Sequence, residues 1–443
     1  VRPLRRLAQV AESTPASRDR YLDLLRALAI TLVVLGHWLI AVVSYGGHHR
    51  PTGHSALDNL HWAYPVTWLL QVMPVFFVVG GYANAASLSS HRRKGGDAVG
   101  WLLDRADRLI RPTTALLLVL SIGAVAARLA GADAALVRTA VWTASIPLWF
   151  LSAYLVVVLL TPVMYRLHER LGLAVPAVLV ALVALGDIAR FAGAAVLADG
   201  SYLFGWLVIH QVGFFWRDGR LRFAGRAWLP PLAGGVAALV LLTVVGPYPI
   251  TMIDVTGEHI KNASPPTLAL LAAATAQLGL IMLLHDPAER WLRGRRPWQL
   301  VVAGNSVVLT VFLWHMTAVL ILIGVLWWAH LLPTPLVGTV GWWVWRVPWL
   351  LLLTVVLAGL VAVFGRLEAR GARPLPIRLP ELSRRRLPRL VLTAVAFTAT
   401  VFGLLVNNIV SPLHPEPTGV PVPALTAYLA GAAILRLLRG ASG

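Results

Sequence analysis

Cysteine is absent from this chain, and charge is scarce: Asp, Glu, Lys and Arg make up 13% of 443 residues. The first absence excludes disulfides, thiolate metal sites and a cysteine nucleophile, and it leaves the redox compartment open. The second, beside a hydrophobic fraction of 58% and a mean hydropathy of +0.73, excludes an ordinary soluble domain. It predicts an all-α, polytopic transmembrane helical bundle. Gly-x-Ser-x-Gly, His-Glu-x-x-His and phosphate-loop motifs are missing too, so those chemistries have no anchor, and no metal is expected. Repeats of fixed period and low-complexity tracts are likewise absent.

Acid is the scarcer sign. Against 38 Lys and Arg stand 19 Asp and Glu, a net charge of +19 that raises nucleic acid as a partner. The distribution of the basic residues gives a different account. Apolar segments of helical length fall near 21–43, 65–88, 112–130, 148–165, 172–190, 202–216, 228–246, 267–285, 300–329, 347–365 and 389–410, with a shorter one at 424–438. They predict about 11 spans, within a range of 10 to 12, and Pro112, Pro147 and Pro333 are expected to bound helices. With a cytoplasmic N-terminus, the outer loops hold only Arg50, Arg128, Arg138, Arg190, Lys261 and Arg346 of the 38 basic residues. That is the positive-inside pattern, so the charge reads as topology, the partner is the lipid bilayer, and no nucleic acid is expected.

The organisation expected is a cytoplasmic basic tail at 1–20, a membrane domain at 21–365, a basic cytoplasmic linker at 366–388, and additional C-terminal membrane segments at 389–443. The first span, "RYLDLLRALAITLVVLGHWLI", carries Asp23, Arg26 and His37 into hydrocarbon, where ionisable groups are costly. Arg26 and His37 are eleven residues apart, three turns plus about 20°, and therefore share one stripe about 16 Å long. Asp23, three residues before Arg26, is placed to pair with it. Arg26 alone reads equally as a snorkelling anchor, and His37 alone as an interhelical hydrogen bond. Together on one stripe they point to a polar site in which His37 is a general base or a nucleophile.

With those residues in view, "LDLLRALAITLVVLGH" resembles the opening helix of the acyltransferase-3 family of integral membrane O-acyltransferases, with its Arg, ten residues, then His. "MPVFFVVGGYANAASL" is similar to that family's Phe-Phe-x-x-Ser-Gly element through Phe76, Phe77 and Gly81, with Gly80 standing where the family has Ser. "DRADRLIRP", with Arg105, Arg108 and Arg111, resembles the basic opening of its third helix. "PLWFLSAYLVVVLLTP", with Trp149 and Tyr154, is similar to its Trp-Phe-Leu helix, and "NSVVLTVFLWHMTAVLIL" to a late helix ending in Leu-x-His, here His315. The likeness runs from about 19 to 365; the segments after 389 lie outside it.

The resemblance implies transfer of an acyl group, commonly acetyl, from cytoplasmic acyl-CoA (acetyl-CoA) to a hydroxyl of a sugar, glycolipid or cell-envelope acceptor, in a multi-pass protein of the plasma (inner) membrane. It implies His37 as the catalytic residue, and Arg26, Arg105, Arg108 and Arg111 as donor-binding residues. Asp23, Phe76, Phe77, Gly80, Gly81, Trp149, Tyr154 and His315 are then candidates for site support. His315 reads as either helix glue or a site residue, and the Trp-rich "VGTVGWWVWRVP" as either a sugar vestibule or an interfacial belt. The alternative is a secondary transporter of the major-facilitator type, whose size the chain shares but whose two-half symmetry it lacks.

Overall fold

The structure is a computed structural model that describes residues 19–45, 51–221, 225–369, 386–409 and 418–440. Nearly all of the predicted basic tail and most of the 366–388 linker lie outside the described residues. The main helices are α1 Arg20–Ile40, α2 Met73–Arg93, α3 Ala98–Leu129, α4 Ala134–Ala144, α5 Leu148–Leu171, α6 Ala174–Phe191, α7 Ser201–Arg217 and α8 Leu229–Val240. They are followed by α9 Leu268–Leu283, α10 His285–Leu292, α11 Arg295–Asn305, α12 Val308–Trp328, α13 Val340–Ala369, α14 Arg386–Ile409 and α15 Val422–Gly440. Among the described residues, ten helices are long and apolar enough to cross a membrane, or eleven if α9 and α10, bent by 47°, form one broken span. The polytopic helical bundle predicted from composition is therefore present.

Side-chain caps set several helix starts. Asp19 accepts the amide of Leu22, Asp97 that of Gly100, Asp133 those of Ala135 and Leu136, and Thr267 that of Leu270. Each satisfies amides that the first turn leaves without partners.

Three expectations change. The first helix stops at Ile40, not near 43, because the β-branched run "AVVSY" pairs as β1 (Ala41–Tyr45) with β2 (Pro51–Ser55) in an antiparallel ribbon. Pro112 does not open a helix: α3 starts at its Asp97 cap and runs through the proline for 32 residues. Thr113 and Thr114 donate their hydroxyls to the carbonyls of Leu109 and Ile110, bracing the turn that the proline weakens. The segment at 300–329 is two helices, α11 and α12.

The chain forms two compact units. One comprises Val1–Ala86, Val163–Val308 and Pro333–Leu351; the other Ser87–Pro162, Leu309–Leu332 and Leu352–Gly443. In the first, α2 and α7 cross so closely at Gly81 and Gly213 that a Cβ on Gly81 would overlap the His210 carbonyl oxygen. In the second, α14 and α15 touch through Gly403 and Gly431 in the same manner. Small residues allow such contacts where lipid supplies no hydrophobic drive between helices.

Candidate active site

Helix α1 positions the predicted acid, cation and imidazole. Between Arg26 and His37, the stripe they share passes through Ile30 and Val33, both buried, while Leu28 and Leu35 on another side are exposed. The stripe therefore faces protein, not lipid. Arg26 donates from Nη1 to Asp23 Oδ1 at 3.2 Å, as the three-residue spacing predicts; Asp23 is buried and the Arg26 side chain is one-third exposed. Asn305 of α11 donates to the Asp23 carbonyl at 2.8 Å, a partner no local pattern could reveal.

Both ends of α1 are held. At its start, Tyr21 donates its hydroxyl to the Ile281 carbonyl and its amide to Glu289, and Arg20 donates to the Leu292 carbonyl while lying over Trp298. At its end, the Ala41 amide donates to the His37 carbonyl, closing the last turn. Arg346 Nη1 donates to the Ala41 carbonyl at 2.9 Å and to that of Trp38 at 3.4 Å, and Trp349 Nε1 donates to Trp38 at 3.0 Å. Arg346 is 6% exposed, sits 4.4 Å from the Trp342 ring and 5.8 Å from that of Trp349, and pairs with no carboxylate among the described residues. A cation on the last carbonyls of a helix complements its dipole.

Arg346, which charge counting puts in an outer loop, lies instead in α13. The signal was present as Trp342, Arg346 and Trp349 at helical spacing, hidden because the run also fits a vestibule or a belt. Trp342 of that run and Trp349 just after it are both buried: Trp349 bonds directly to the His37 helix, while Trp342 packs under Arg346 and against Val42, Ala56 and Leu60.

Elsewhere in this unit, Phe77 is fully buried and stacks on Trp206 at 4.5 Å, Phe76 is half-buried, and Gly80 is buried beside the Gly81 crossing. Asn84 and His210 bond at 3.1 Å across the same crossing, giving His210 a packing role. Asp58 accepts the amide and hydroxyl of Thr256, and Asp254 pairs with Lys261. Burial, aided by the neighbouring Asp254, pushes the Glu258 carboxyl up to about 7. Asp19, His285 and Glu289 bring ligand atoms within 4.8 Å of one another. Protein partners already engage each of them: Leu22, Asp286 and Tyr21.

The second unit gathers the other predicted residues around α3, α5 and α12. Arg105 donates to the Tyr154 hydroxyl at 3.2 Å. Tyr154 stacks on Phe150, which meets Phe312 edge to face, and His315 donates from Nδ1 to the Phe312 carbonyl. Arg105, Tyr154 and the buried His315 thus belong to one chain of contacts, with Trp149 half-buried beside Phe150. The three arginines of α3 do not converge: Arg111 donates to the Leu367 carbonyl at 2.6 Å and Arg108 is exposed. Steps of three residues rotate each by about 60° from the last.

No curated protein and no solved structure matches the chain. A family does. The Acyl_transf_3 acyltransferase domain matches residues 19–365, which holds every residue of the α1 device and its Arg346 clamp, and favours acyl transfer over the carrier alternative. The chain belongs to the acyltransferase-3 family, as a multi-pass membrane acyltransferase.

Proposed function

We propose that the protein moves an acyl group, acetyl in the simplest case, from acyl-CoA to a hydroxyl of a sugar, glycolipid or cell-envelope acceptor, in the plasma membrane with its basic loops cytoplasmic. His37 accepts the proton of the acceptor hydroxyl, whose oxygen attacks the thioester carbonyl; the departing CoA sulfur then takes that proton. Donor phosphates are held by charge-assisted bonds to arginine, for which Arg26, anchored by Asp23, is one candidate and the basic segment 92–111 another.

The observation that carries this reading is the α1 stripe, which joins a partly exposed, carboxylate-anchored arginine to an imidazole across buried apolar residues. Neither a lipid-facing anchor nor a loose interfacial histidine needs a helix fixed at both ends.

The test supplies purified protein in nanodiscs with labelled acetyl-CoA and a glycolipid extract. Transfer is expected from the native chain and none from His37→Ala, with both accumulating equally in membranes. A variant that still transfers at a near-native rate removes His37 from the chemistry.

A further inference from the structure

The two C-terminal helices lie outside the family match, and the family's chemistry gives them no task. Their contacts do. Between Asp58 and Asp133 the only acids are Asp97, Asp104 and Asp107, all in the segment that opens α3 among Arg105, Arg108 and Arg111. All three meet arginines from beyond residue 385. Arg439 of α15 donates from Nε to Asp104 at 2.9 Å and from Nη1 to Asp107 at 2.5 Å. Arg389 of α14 reaches Asp97 at 3.5 Å.

The pairing matters because of what it prevents. Asp104 and Asp107 stand four residues before Arg108 and Arg111, the spacing and direction in which carboxylate and guanidinium pair best along a helix. Left to themselves, they would neutralise the basic face of α3. With Arg439 forked across both, Arg105 and Arg111 are left with neutral partners, a tyrosine hydroxyl and a carbonyl, and Arg108 pairs with no carboxylate among the described residues. Asp107 is 9% exposed, so its charge is held in a site that water screens poorly.

We propose that Arg439 is a positioning residue for the donor site: it sequesters Asp104 and Asp107 so that the α3 arginines stay available to the phosphates of the acyl donor, with Arg389 doing the same for Asp97. This inference rests on the donor reading above and assigns the additional C-terminal helices to that site.

The test is binding of coenzyme A to the full chain in nanodiscs, by calorimetry at two salt concentrations. The native protein is expected to bind in a salt-sensitive manner; no binding at all would overturn the donor reading itself. In Arg439→Gln, affinity should fall about tenfold, as freed carboxylates pair with the arginines and repel phosphate. Adding Asp104→Asn and Asp107→Asn to that variant should return affinity to within about twofold, because no acid then competes. A merely structural Arg439 predicts no such rescue, since the triple variant lacks every bond to α15 from that residue. Unchanged affinity in Arg439→Gln, or no recovery in the triple variant, overturns the inference. Should Arg439→Gln fail to fold, Asp104→Asn/Asp107→Asn with Arg439 retained decides it: affinity at or above native supports the proposal, and a loss refutes it.

Discussion

Replacing Arg346 by Met tests whether the outer clamp of α1 serves the chemistry of His37. The structure sets the size of the effect. The bond to the Ala41 carbonyl at 2.9 Å is charge-assisted and contributes about 1.5–3 kcal/mol. The 3.4 Å contact with Trp38 adds little, because Trp349 keeps that carbonyl paired. Cation–π contact with Trp342 adds roughly 1–2 kcal/mol. Against this, Met removes a buried charge that has no carboxylate, recovering desolvation on the order of several kcal/mol, and refills most of the apolar volume. The net loss of stability should be small, about 1–2 kcal/mol. The loss of rate should be larger: with the Ala41 carbonyl released by Arg346, the last turn, which runs from His37 to Ala41, is less firmly fixed, and displacement near 1 Å costs about a hundredfold. Arg346→Met is expected to fold, to bind donor with native KM, and to show kcat lowered by about ten- to a hundredfold. Arg346→Lys, with charge but no fork, should lie between. Labelled acyl transfer and thermal unfolding on the same preparations check both. Native kcat in Arg346→Met, or a weakened KM with kcat intact, would refute the reasoning.

Arg26→Lys keeps the charge but loses the planar fork that spans Asp23 and a phosphate, so the donor KM should rise with acceptor dependence unchanged; an identical donor curve would make Arg26 a simple anchor. Glu258 has a carboxyl raised to about 7, so the folded state binds its proton more tightly than the unfolded one, and its contribution to stability is present below about pH 4.3 and lost as pH rises through 7. Glu258→Gln should therefore flatten the fall in unfolding temperature between pH 5 and pH 8; equal falls in both proteins would contradict the assignment. Gly81→Leu drives a side chain into the His210 backbone and should abolish stable accumulation, whereas Gly81→Ala should cost about 1–3 kcal/mol as α2 and α7 part. Native melting of Gly81→Ala would show that the crossing yields freely.

Legibility followed distance along the chain. The Asp23–Arg26 pair and the shared stripe of Arg26 and His37 follow from helical spacing alone, and composition alone gives the bundle. The ends of α1 did not, because its apolar run continues past Ile40 into residues that a ribbon suits better, and hydropathy does not separate the two. Pro112 misled for a related reason: a proline breaks helices in water, but threonine hydroxyls and neighbouring helices can satisfy what it frees. The partners that hold α1, Asn305 on Asp23 and Arg346 on Ala41, and the partner that engages α3, Arg439 on Asp104, lie 282, 305 and 335 residues away. No periodicity encodes such pairs, and a single arginine in an apolar run looks the same whether it anchors, caps or clamps.

The separation between Asp104 and Arg439 also orders events in time. A ribosome adding about 5–20 residues per second needs roughly 20 to 70 s to travel the 335 residues between them. Throughout that interval α3 has emerged with its acids beside its own arginines, and the segment is close to neutral. Only when α15 inserts can the carboxylates change partners to Arg439. If the α3 arginines hold the donor, a chain truncated before α15 should therefore carry a silent basic face, one that becomes available to phosphate only after α15 is in place.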